Sequence, residues 1–180
     1  MGQVRHAFAS AKDDGSDASL VRPSNWNADH VGLALVRKAA NQLVTSSTLV
    51  NDTHLFFAMA ANEVWAFELF LVAMGVDSVD IKYAFDIPAG ATIIWSSIGL
   101  PATAPDLLNP GLGTVIEADQ GASEMGLIGP GIKVLNRIYG TVVNGANAGN
   151  LQFMFAQRVT DAGNAVTLYA NSWLKGTRAA

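Results

Sequence analysis

The side chains most able to do chemistry in this sequence are histidines and carboxylates, because the chain contains no cysteine. His6, His30 and His54 are too far apart to form the short-spaced histidine pair typical of a zinc site. A Ser-His-Asp triad can assemble from distant positions, but no Gly-x-Ser-x-Gly elbow is present to support one. We therefore expect structural roles for the histidines, and we predict no metal site and no cofactor site.

One pair of carboxylates, Glu117 and Asp119, has a spacing that could serve a hydrolase. A glycosidase holds two carboxylates across a sugar cleft, and Glu117 and Asp119 would share one face of a strand. Glycine and serine within residues 117–126 favour a loop there instead. A cleft hydrolase that uses this pair is nevertheless kept as a third hypothesis.

An acidic run near the N-terminus invites a calcium interpretation. Asp13, Asp14 and Asp17 do not follow the alternate-ligand spacing of an EF-hand loop, and Ser24 stands where that loop needs glutamate. The segment from Ala9 to Ser19 is small, polar and aperiodic, so we interpret it as an arm or tether.

The composition restricts the partners that the protein could have. The 180 residues are half hydrophobic and only 14% charged, with a formal net charge of -4. Nucleic-acid binding is disfavoured because it needs clustered Lys and Arg. The most apolar window, Val64 to Met74, is about half as long as a membrane span and contains Glu68. We expect no membrane association, no targeting segment and synthesis in a reducing cytoplasm. Low charge favours apolar surface that meets a partner.

Apolar residues at every second position predict strands. Leu55 to Met74 contains good helix formers, so a helix is an alternative there. Asn62 and the density of aromatic residues favour two strands, with one face of the second formed by Trp65, Phe67, Leu69 and Leu71. Its opposite face is partly apolar as well.

Three further patterns carry specific expectations. Asn51 to Thr53 is interpreted as a turn. In the run from Val79 to Ile87, we expect the even positions, including Asp80, to face solvent. In the run from Ile132 to Val143, we expect one side to carry Lys133, Leu135, Arg137, Tyr139, Thr141 and Val143.

About eight strands at short spacing, with no βαβ rhythm, predict an all-β antiparallel sandwich of jelly-roll type with an extended N-terminal arm. We divide the chain into an arm and attachment segment, residues 1–35, and a β-sandwich domain, residues 36–180. The long loops 100–113 and 119–131 are the places where such a domain could bind a ligand.

A conspicuous cluster lies between these two parts. Pro23 holds Arg22 out of the helical region, and Trp26 stands between Asn25 and Asn27. An aromatic residue in a small, polar segment usually anchors the chain. Trp26 either closes the rim of its own domain or docks on a neighbouring subunit. The predicted partner-binding residues are Val21, Arg22, Pro23, Asn25, Trp26, Asn27 and His30.

Two stretches resemble known proteins. Residues 20–30, Leu-Val-Arg-Pro-Ser-Asn-Trp-Asn-Ala-Asp-His, resemble an N-terminal segment of tailed-bacteriophage structural proteins with a V-R-P-S-x-W-N-x-x-H run. Residues 151–157 and 169–174 resemble the last hairpin of small phage virion proteins. The two stretches contain 24 of the 180 residues. The resemblance implies a phage virion component.

Two main hypotheses follow. The first is a non-enzymatic virion structural protein, a homotrimer that decorates the capsid or forms part of a tail fibre or spike, attached to other virion proteins through its arm. The second is a tail module that binds a host-surface glycan through its loops.

Overall fold

The computed structural model describes residues 11–17, 19, 22–24, 32–102, 113–115 and 121–180. Within these ranges twelve strands form, where the sequence predicted about eight. In chain order they are β1 (Leu33–Arg37), β2 (Gln42–Val44), β3 (Val50–Met59), β4 (Val64–Met74), β5 (Ile81–Asp86), β6 (Thr92–Gly99), β7 (Gly113–Val115), β8 (Ser123–Met125), β9 (Val134–Val143), β10 (Gly149–Gln157), β11 (Val166–Leu168) and β12 (Trp173–Arg178). No helix long and apolar enough to cross a membrane occurs in the described ranges.

The strands form two antiparallel sheets. The larger has the order β1-β12-β4-β9-β6-β7, with β11 paired to β4 and β2 paired to β11. The smaller has the order β3-β10-β5-β8. From β3 to β6 the chain changes sheet at every step, β7 stays beside β6, and β8, β9 and β10 alternate again. This is the strand order of a two-sheet jelly roll, so the predicted fold is confirmed.

The core lies between the sheets and follows the predicted alternation. Trp65, Phe67, Leu69 and Leu71 point inward and are at most 6% exposed. The ring of Phe85 meets Trp95 of the opposite sheet and Phe153 of the neighbouring strand edge-on, with centroids 5.5 and 5.7 Å away. The helix alternative is wrong, because Asn62 turns the chain with a φ of 62° between β3 and β4. Asparagine tolerates this conformation better than most residues.

The predicted turn at Asn51 to Thr53 is wrong as a strand boundary, because these residues lie within β3. They do mark an irregularity. The pairing of β3 with β10 shifts register between Gln152 and Met154. At this shift the Asp52 carboxylate accepts hydrogen bonds from the backbone N–H groups of His54 and Leu55, at 2.8 and 2.9 Å. The side chain thus replaces part of the interrupted ladder.

The same carboxylate forms a buried ion pair. Lys38 Nζ lies 2.5 Å from Asp52 Oδ2, and both side chains are fully buried. Lys38 Nζ also donates to Gln42 Oε1 at 3.2 Å, and Gln152 Nε2 donates to the Asp52 carbonyl at 2.9 Å. Lys38 follows β1 of the larger sheet and Asp52 belongs to the smaller one, so the pair joins the two sheets.

Because β1 itself spans residues 35 and 36, the predicted arm–domain boundary falls inside a strand; the division stays a prediction.

Removing one partner of this pair should be more harmful than removing both charges. Lys38→Met leaves Asp52 buried without a counter-charge, and we expect a loss of about 3–5 kcal/mol in the free energy of unfolding. Lys38→Met combined with Asp52→Asn should recover part of that loss, because the amide oxygen can still accept the two backbone N–H groups. Urea denaturation measures both values.

Lys12→Met, at an exposed position of the arm, is the matched control and should change stability little. A single Lys38→Met variant as stable as the wild type would refute a stabilising role for the pair.

Candidate functional site

The predicted attachment segment is only partly described. Arg22 Nε donates to the Asp17 carbonyl at 3.2 Å, and the backbone N–H of Ser24, next to Pro23, donates to Asp14 Oδ1 at 2.7 Å. The hydrogen bonds from Ser24 hold the pKa of Asp14 below its ordinary value. The other predicted partner-binding residues lie outside the described residues: Val21, Asn25, Trp26, Asn27 and His30. Their role stays a prediction.

The residues considered for catalysis do not come together in the described part of the chain. His54 is half-buried on β3 with its Nδ1 2.8 Å from Thr53 Oγ1. His6, Glu117 and Asp119 lie outside the described residues. Within the described ranges, no group of three or more histidines and carboxylates is placed to hold a metal ion.

The most distinctive surface is the outward side of the larger sheet. It combines outward residues of β12, β4, β9 and β6 that pair row by row. One row runs Lys175, Glu68, Tyr139 and Ser96. The next runs Trp173, Phe70, Arg137 and Ile98. We call this surface, extended by Val72, Leu135, Ile94 and Val143, the outer face.

The outer face exposes large apolar side chains on β6 and β9. The exposed fractions are 65% for Ile94, 58% for Leu135, 46% for Val143, 43% for Tyr139 and 37% for Ile98. A contiguous patch of this kind is uncommon on a monomer and typically marks an interaction site.

Its centre carries an aromatic pair and an ion pair. The rings of Phe70 and Trp173 stack, with centroids 5.7 Å apart and planes inclined by 14°. Beside them Arg137 Nε donates to Glu68 Oε1 at 2.5 Å, while the arginine side chain stays 62% exposed. Aromatic residues and arginine are the types enriched at protein interfaces. The depressions between these side chains are shallow and open, which suits a partner's surface better than an enclosed substrate.

Part of the outer face was predictable from the sequence. The side of β9 that carries Leu135, Arg137, Tyr139 and Val143 was predicted correctly, and its residues point outward. The site as a whole was not predicted, because nothing in the local pattern says that β12, β4, β9 and β6 lie side by side.

A second polar cluster overturns one expectation. Asp80 does not face solvent: it is only 2% exposed, has a φ of 43°, and accepts a hydrogen bond from the Leu127 N–H at 2.8 Å. Alternation fails at Asp80 because β5 begins after it, at Ile81. Burial raises the pKa of Asp80 to about 6, against the opposing effects of the Leu127 N–H and Arg158.

Asp80 should therefore make stability depend on pH. A raised pKa means that the folded state binds the proton more tightly, so this group lowers the free energy of unfolding as pH rises from about 4 to about 6. Asp80→Asn cannot ionise, tolerates the positive φ and can still accept from Leu127. Denaturation across this pH range should show the free energy of unfolding of the variant rising relative to that of the wild type, until the difference becomes constant above about pH 6.

The matched control is Asp86→Asn, at the exposed end of β5, the strand that follows Asp80. A difference between Asp80→Asn and wild type that stays constant from pH 4 to pH 7 would exclude this assignment.

Comparison with known proteins adds little to this geometry. No protein-family model and no curated protein matches the sequence. The crystal structure of the infectious bursal disease virus VP2 subviral particle aligns with 91% of this chain at 12% identity and a TM-score of 0.26. The structure of the Gx strain of that virus aligns with 91% at 10% identity and a TM-score of 0.23. The chain spans less than half of either, 45% and 43%. Likeness this weak establishes neither a shared fold nor a shared function.

Proposed function

We propose that this chain is a non-enzymatic structural protein of a tailed-phage virion. It is made in the host cytoplasm and incorporated into the particle as a homotrimer. It decorates the capsid or forms part of a tail fibre or spike. Residues 1–35 attach it to other virion proteins, with Trp26 as the anchoring side chain.

The outer face is the observation that carries this proposal. A folded jelly roll whose core is complete still presents Ile94, Leu135 and Tyr139 to solvent, beside Phe70 and Trp173. Covering such a face requires another protein surface, which is what an assembly subunit provides. Jelly rolls are common in viral capsid domains and in lectins. The resemblance of residues 20–30 to phage structural proteins points to the first of these uses.

Deletion of residues 1–30 tests the attachment role. We expect the truncated protein to keep its β-rich circular dichroism spectrum and its melting temperature, because β1 begins at Leu33. We also expect it to lose binding to phage particles that lack the wild-type protein, measured by co-sedimentation.

Trp26→Ala in the full chain is the companion variant and should weaken the same binding. If the truncated protein occupied the particles as fully as the wild type, the arm would have no attachment role.

A host-glycan module is the second candidate, and one observation favours it. The stacked rings of Phe70 and Trp173 lie next to Glu68, Arg137 and Lys175. Apolar ring surface with a few polar groups that fix orientation is a common composition of small-ligand sites. The loops first considered for this role, 100–113 and 119–131, are only partly within the described residues.

A glycan array followed by titration calorimetry tests this candidate. Trp173→Ala should reduce affinity for any glycan that binds the wild type by about tenfold or more, since aromatic contacts dominate such sites. Phe56→Ala, at an exposed aromatic residue on β3 of the smaller sheet, should leave affinity unchanged. A wild-type protein that binds nothing on the array would remove the candidate.

A further inference from the structure

The outer face has a self-complementary arrangement. We propose that it pairs with the same face of a second copy, about a twofold axis that runs parallel to the strands between β4 and β9. This inference rests on the proposed structural role and names the partner of the same surface. A twofold contact is isologous, whereas a closed trimer uses heterologous contacts, so the paired copies belong to neighbouring trimers.

The size of the face fits a contact that is made more than once. The strands β12, β4, β9 and β6 contain 35 residues, and at about 16 Å² of sheet per residue they span about 550 Å². A standard interface buries about 800 Å² on each partner. One such contact is therefore small, but the three contacts that form when two trimers pair together exceed a standard interface.

The direction of the twofold axis follows from which residues of the outer face share a row across the strands. Rotation about an axis parallel to the strands lays β4 of one copy on β9 of the other and β12 on β6, and it keeps each row opposite itself. Phe70 then faces Arg137 of the partner subunit, where the cation lies over an aromatic ring. Trp173 then faces Ile98 of the partner subunit, and the contact removes apolar surface of both side chains from water.

The remaining opposed pairs are also compatible. Glu68 faces Tyr139 of the partner subunit, whose hydroxyl can donate to the carboxylate. Val72 faces Leu135 of the partner subunit. No like charges oppose one another. An axis across the strands would instead lay β4 on β4 and bring the Glu68 carboxylate towards the electron-rich face of Phe70 of the partner subunit, which is unfavourable.

The first test is the mass of the full chain in solution, by light scattering, for wild type and Ile98→Arg. We expect the wild type to form a hexamer of two trimers and Ile98→Arg to halve its mass, with circular dichroism unchanged. Val159→Arg places the same charge on a more exposed aliphatic position in the turn between β10 and β11, outside the face, and should leave the mass unchanged.

The outcomes separate this inference from the proposed function. A trimeric wild type that Ile98→Arg does not alter overturns the pairing and leaves the structural role standing. If the wild type is a trimer and Ile98→Arg is a monomer, the outer face is the contact within the trimer. That result also overturns the twofold pairing. A monomeric wild type overturns both.

A cross-linking experiment tests the axis itself. Lys175 and Ser96 lie three strands apart in one row, about 14 Å within a chain, but they oppose each other across the proposed axis. The chain has no cysteine, so introduced thiols react without background. A short bis-maleimide should give covalent dimers with Lys175→Cys combined with Ser96→Cys, and with a mixture of the two single variants. Equal dimer yield from either single variant alone would overturn the axis.

Discussion

The buried contact between Lys38 and Asp52 is the interaction on which the edge of this sandwich depends. It joins the segment after β1 in the larger sheet to β3 in the smaller one, at the point where β3 loses register with β10. Two charges removed from water are unfavourable unless each finds partners. Here the carboxylate also accepts two backbone N–H groups and the ammonium group reaches Gln42, so the interrupted strand and the ion pair compensate for each other.

The two faces of the larger sheet have different relations to solvent. The inner face is covered by the smaller sheet, and it contributes Trp65, Phe67 and Trp95 to an aromatic core whose other rings come from the smaller sheet. Among the described residues no second layer covers the exposed aliphatic side chains of the outer face, although β4 is apolar on both sides. A chain with only 14% charged residues has few charges with which to cover such a surface. The low charge of the sequence is therefore one reason why the outer face is apolar.

The wrong expectations have a common physical origin. Asn51 to Thr53 were interpreted as a turn and Asp80 as a solvent-facing residue, since polar residues favour both states. In the fold, Asp52 and Asp80 are buried because each carboxylate satisfies backbone N–H groups that no strand partner reaches. Those N–H groups become unpaired only once strand register and chain crossings are set, so a local pattern cannot reveal them.

The sequence by itself determined most of the long strands and the all-β sandwich, because alternation of side chains and turn-forming residues act over a few neighbouring positions. Short strands such as β8 were not determined in this way, since three residues are too few to show alternation. It also determined which residues of β9 share a face. Tertiary structure decided which strands lie together. Glu68 meets Arg137 across 69 residues, and Phe70 stacks on Trp173, only because β4 lies between β9 and β12. Strand pairings between residues so far apart in sequence form only when the whole jelly roll closes. The outer face therefore forms only at that stage.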